Sequence, residues 1–143
     1  MIAYFDTSAL IPLLIEEPGS EHAARVWDEA EHVASVRLVY AEARAALSQA
    51  WRPGRLDQPQ HEQLIVELND LYEQLDRVEI DDRLVHRAGA LAEQFGLRGY
   101  DAVHLAGAER FADEVALVVA GDHELCAAAR TLGFAVADTS SAT

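Results

Sequence analysis

Asp6, Glu42, Asp101 and Asp122 are the residues of this chain whose surroundings make a carboxylate hard to explain as mere surface. Asp6 closes the apolar run Ile2-Ala3-Tyr4-Phe5, and Asp122 follows a second apolar run, 116–120, across Gly121. Asp101 lies in a segment, 100–111, that is apolar nearly all round, and Glu42 shares a helical stripe with Leu38, Ala45 and Ala46. A buried carboxylate without a partner is costly. The chain has no lysine, so compensation falls to arginine, a hydrogen bond or a metal ion. If the four acids converge, their repulsion calls for a hard divalent cation, Mg²⁺ with Mn²⁺ as a substitute, since such ions take oxygen ligands and keep several waters. A water held and acidified by that ion, beside a neutralised phosphodiester, is the chemistry of metal-assisted phosphodiester hydrolysis.

Each acid also has a plainer reading. Asp6 and Asp122 are good helix caps, and Asp101 in a first turn favours the positive end of the helix dipole. Ser8, two residues past Asp6, is placed either to bond a metal-bound water or to cap, and Arg98 either to meet a substrate phosphate or to form a surface ion pair. His104 and His123 neighbour the acids, yet an oxygen-ligand site needs no imidazole, so they read as core or surface histidines.

The elements that would position these groups follow from periodicity. Short apolar strands are expected at 2–5, 33–36, 78–80, 116–120 and 134–137. Between them run helices over 9–15, from a Ser20 cap, over 37–51, after Pro59, over 84–95, over 100–111 and over 122–132, with Pro18-Gly19, Pro53-Gly54 and Gly96 as breaks. Strands alternating with helices predict a three-layer α/β/α sandwich with a mostly parallel central sheet, whose site lies beyond the carboxyl ends of the strands.

At 143 residues the chain is expected to be a single domain over 1–138 with a short polar tail, 139–143. No apolar run is long enough to span a membrane, and a cytoplasmic protein is expected. Cys126 is the only cysteine and reads as a small apolar residue. With 25 Asp plus Glu against 11 Lys plus Arg, the net charge of −14 disfavours non-specific adhesion to nucleic acid and favours a basic protein partner.

Taken together, Tyr4-Phe5-Asp6-Thr7-Ser8-Ala9, Val39-Tyr40-Ala41-Glu42, the stretch from Leu97 to Ala106 with its Asp101-Ala102-Val103-His104-Leu105-Ala106 block, and Gly121-Asp122-His123-Glu124-Leu125 resemble the PIN domain of VapC toxins. The resemblance covers nearly the whole chain. It implies that Asp6, Glu42, Asp101 and Asp122 bind Mg²⁺ or Mn²⁺, that RNA is cleaved, that the protein is a homodimer, and that a cognate VapB-like antitoxin inhibits it. One departure is Ala120, where the family often carries Thr or Ser; Glu124 is the nearby acid that could stand in.

Two rival readings remain. A haloacid-dehalogenase-like phosphatase also opens with a strand ending in Asp, but its second Asp would fall at Ser8 and its assisting lysine has no counterpart. A catalytically inactive, partner-binding PIN module is the other, weighed against by the presence of all four acids.

Overall fold

The computed structural model describes residues 1–114 and 116–140. Five strands, β1 (Ile2–Phe5), β2 (His32–Val36), β3 (Asp76–Val78), β4 (Ala116–Ala120) and β5 (Ala135–Asp138), form one sheet in the order β3-β2-β1-β4-β5, with every pairing parallel. The mostly parallel sandwich expected from the sequence is therefore present. Parallel pairing demands crossovers, and these are the helices α1 (Thr7–Leu10), α2 (Ser20–Glu29), α3 (Leu38–Trp51), α4 (Gln58–Gln74), α5 (Asp82–Phe95), α6 (Gly99–Glu109) and α7 (His123–Thr131).

Strand alternation sends the side chains of β1 to two separate cores. Tyr4 packs with Leu84, Leu91, Leu105 and Leu125 from α5, α6 and α7. Phe5 packs with Leu10, Val26, Leu47 and Leu68 from α1, α2, α3 and α4. Burying β1 completely on both faces makes it the rigid centre of the sheet.

Local chemistry moves several boundaries. The helix expected over 9–15 is instead a single turn, α1, followed by a 3₁₀ segment at Ile11–Leu13, because Pro12 has no N–H to continue the α pattern. Gly19, not Ser20, caps α2; the Ser20 hydroxyl accepts from Glu17 N–H and donates to the Ile15 carbonyl. α4 starts before Pro59, at Gln58, since Asp57 and Gln60 form a reciprocal capping box and proline is tolerated in a first turn. Ile80 lies outside β3 and is exposed. The buried face of α3 is Val39, Ala43, Leu47 and Ala50, one residue round from the stripe expected to carry Glu42.

Among the described residues no helix is long and apolar enough to cross a membrane. Thr139, the first residue of the polar tail, is buried, and its N–H donates to the Ala120 carbonyl; residues 141–143 lie outside the described residues.

Candidate active site

The strand order reverses between β1 and β4: the chain builds outward through β2 and β3, then returns to the other side of β1. Ligands of open parallel sheets bind at such a switch point, beyond the carboxyl ends of the strands. Asp6 directly follows β1 there, its N–H bonded to the Val119 carbonyl of β4, and Asp122 caps α7 just past β4.

Asp6 is almost fully buried. Its Oδ1 accepts from the Ser8 hydroxyl at 2.7 Å and from Ala9 N–H at 3.3 Å, so the capping role is real. Oδ2 has no hydrogen-bond partner among the described residues. Burial pushes the Asp6 carboxyl up to about 6, the His104 imidazole and the Ser8 and Ala9 bonds oppose the rise, and the nearby Asp101 charge adds to it.

Glu42 is held in the same way, through one oxygen. Its Oε1 accepts from Thr7 Oγ1 at 2.9 Å and lies 2.7 Å from His104 Nε2, while Oε2 has no hydrogen-bond partner among the described residues. Asp122 accepts Leu125 N–H through Oδ1 at 3.0 Å. Asp101 is buried in the first turn of α6, with Arg98 Nε 3.5 Å from its Oδ2. Burial raises the Asp101 carboxyl, and the charges of Asp122 and Glu42 raise it further, against the pull of Arg98 and His104.

The four acids thus meet through their fields, with Asp101 at the hub. Among the described residues no three His, Cys, Asp or Glu side chains form a ready-made metal-holding group. Arg98 is exposed, paired with Asp101 and lying 5.4 Å from the centre of the Tyr100 ring, at the rim of the cluster. Ser8 joins the cluster to β4 by accepting Gly121 N–H at 2.8 Å. Ala120 is packed in the core with Val118 and Leu125, and the hydroxyls of Ser8 and Thr139 both lie at this strand end, beside Gly121. Glu124 is exposed.

The sequence matches the PIN domain family over residues 3–131. The chain belongs to that family. It is 37% identical over 136 residues to Ribonuclease VapC49 of Mycobacterium tuberculosis, covering 95% of this chain and 94% of that one. Among solved structures, PAE2754 from Pyrobaculum aerophilum matches with a TM-score of 0.70 at 23% identity, covering 98% of this chain and 85% of that one. A toxin–antitoxin complex from Klebsiella pneumoniae matches with a TM-score of 0.63 at 18% identity, covering 84% and 86%. These structural likenesses concern the PIN fold alone.

His123 is a surface residue of this PIN domain, 3.3 Å from Asp138. His104 is different: it is buried against the cluster, with Glu42 on one ring nitrogen and the Tyr4 hydroxyl on the other. From the sequence alone it reads only as a core or surface histidine. The signal that could have found it is spacing, since His104 is three residues past Asp101 on one helix face and Tyr4 shares a strand face with Asp6.

Proposed function

We propose that this PIN-domain chain is an endoribonuclease, the toxin of a toxin–antitoxin pair, which hydrolyses RNA phosphodiester bonds at Asp6, Glu42, Asp101 and Asp122 with bound Mg²⁺ or Mn²⁺. One observation carries the metal: Asp6, Glu42 and Asp122 are each anchored through a single oxygen, and the second oxygens have no hydrogen-bond partner among the described residues. An all-oxygen donor set under mutual repulsion, with the Asp6 and Asp101 carboxyls pushed up by burial and by neighbouring charge, suits a hard divalent cation. The ribonuclease reading is supported by the likeness to Ribonuclease VapC49.

A divalent cation held by Asp6, Glu42, Asp101 and Asp122 would supply an acidified water and neutralise charge on the phosphodiester. The protein's part is placement. Asp6 is fixed by the sheet, by Ser8 and by its cap; Glu42 is fixed from α3 by Thr7 and His104; Asp101 and Asp122 stand at the starts of α6 and α7. Arg98 at the rim can exchange its Asp101 partner for a substrate phosphate, a bidentate match that guanidinium favours. A phosphatase reading loses its second acid, because the group two residues past Asp6 is the Ser8 hydroxyl, already bonded to Asp6.

The same reading includes a basic antitoxin, supported by the −14 charge and by the named toxin–antitoxin assembly among the structural neighbours, and a homodimer in the cytoplasm. The purified chain should cut RNA with Mn²⁺, leaving 5′-phosphate and 3′-hydroxyl ends, and stop in excess chelator. Cleavage undiminished by chelator would end the metal reading, and no cleavage under any condition would leave a partner-binding module.

A further inference from the structure

His104 is 1% exposed, and both of its ring nitrogens are engaged. Nε2 lies 2.7 Å from Glu42 Oε1, and Nδ1 lies 3.0 Å from the Tyr4 hydroxyl, whose ring packs edge-on at 5.9 Å. An ionised carboxylate can only accept, so Nε2 carries a proton and the ring orientation is fixed. Thr7 Oγ1 donates to the same Glu42 oxygen and is 3.3 Å from Nε2.

The support behind His104 is rigid. Tyr4 belongs to the fully buried central strand. Its hydroxyl fits against α6 only because residue 107 has no side chain: a Cβ on Gly107 would stand 2.8 Å from the Tyr4 oxygen and 2.5 Å from Val36 Cγ1. Gly107, one turn after His104, therefore sets how closely α6 lies on the sheet and hence how far His104 reaches toward α3.

We infer that Tyr4, His104 and Glu42 form a positioning relay, in which the sheet-anchored imidazole holds one oxygen of Glu42 and presents the other to the divalent cation. This rests on the metal-dependent reading given above. Without such a hold, a glutamate on the flank of a helix would keep its rotamer freedom and lose part of its affinity to ordering; groups that orient a metal-binding side chain from behind typically contribute 10- to 100-fold in metal affinity or activity. Spanning 100 residues of sequence, from Tyr4 to His104, the relay ties the acid on α3 to the same strand that carries Asp6.

The test compares wild type with Tyr4→Phe, His104→Gln and His104→Ala in the full chain. Mn²⁺ affinity is read by calorimetry, kcat and KM by RNA cleavage, and the His104 ring by ¹⁵N–¹H NMR of the metal-free protein. His104→Ala should weaken Mn²⁺ binding about 10- to 100-fold and lower kcat with KM for RNA little changed. His104→Gln, which keeps an N–H donor, should recover part of both, and Tyr4→Phe should weaken Mn²⁺ binding by a smaller factor. In the NMR spectrum the ring proton should reside on Nε2, and its signal should move in Tyr4→Phe and in Glu42→Gln. Mn²⁺ affinity unchanged in both Tyr4→Phe and His104→Ala would overturn the relay; if His104→Ala does not fold, Tyr4→Phe alone decides, since it removes a single oxygen. A wild type that takes up no Mn²⁺ would overturn the metal reading instead, and the relay would then fall if the ring signal ignored Glu42→Gln.

Discussion

The Ser8 hydroxyl accepts the N–H of Gly121 at 2.8 Å while donating to Asp6 Oδ1 at 2.7 Å, so one small side chain clamps the end of β1 to the end of β4 at the switch point of the sheet. Ser8→Ala removes both bonds and leaves the Gly121 N–H to water or to nothing. A loss of about 1–2 kcal/mol in urea unfolding is expected, together with roughly tenfold slower RNA cleavage, a drop of about 1.4 kcal/mol in transition-state stabilisation. Unchanged stability and rate would show that the clamp contributes nothing.

Asp6 gives a pH dependence of defined sign. Its carboxyl is pushed up from 3.8 to about 6 in the folded chain, so the native state binds this proton more tightly than the unfolded state does. The stability it contributes is fully present below about pH 4 and is lost as pH rises through about 6. In the metal-free protein, Asp6→Asn keeps the cap and has no such proton. The Asn variant should therefore gain on wild type between about pH 4 and 7, by up to about 3 kcal/mol. A gap that shrinks over that range would contradict the burial of Asp6.

Much of this was legible in the sequence, for reasons that differ from residue to residue. Asp6 and Asp122 stand out because an apolar strand ends at or next to an acid, and strand ends are where a parallel sheet puts its site. Asp101 stands out because α6 is buried on almost every side. Glu42 was picked from a stripe that is one residue off the face α3 buries; it is held on the flank of that face, by His104. That contact joins residues 62 positions apart and depends on how α6 seats on Tyr4 through Gly107, a packing relation that no local spacing encodes. Pro12 is the opposite case: its breaking effect is local and readable, and it ends the α pattern ahead of the Pro18-Gly19 pair that marks the more conspicuous break in the sequence.

Gly19 and Gly89 make a matched pair for the packing of the strand ends. A Cβ on Gly19 would stand 2.4 Å from the Thr139 carbonyl oxygen, and backbone cannot swing aside as a side chain can. Gly19→Ala should cost about 1–3 kcal/mol, seen as a melting temperature lower by roughly 3–10 °C. Gly89, inside α5 with open space around it, should behave oppositely, Gly89→Ala stabilising by roughly 0.5–1 kcal/mol. Equal effects at the two positions would mean that Thr139 is not packed against α2 as described.

The central claim, that these acids hold a divalent cation and are not simply helix caps, is tested most directly by the melting temperatures of wild type, Asp6→Asn and Asp101→Asn with and without Mn²⁺. Binding only the folded state stabilises by mass action, about 2.7 kcal/mol at a hundredfold excess over the dissociation constant. Wild type should therefore melt clearly higher with Mn²⁺, and both Asn variants should lose most of that rise, Asp6→Asn keeping its cap bond to Ala9 N–H and Asp101→Asn having no cap bond to lose. Equal Mn²⁺-induced shifts in all three proteins, or no shift in wild type, would contradict the account.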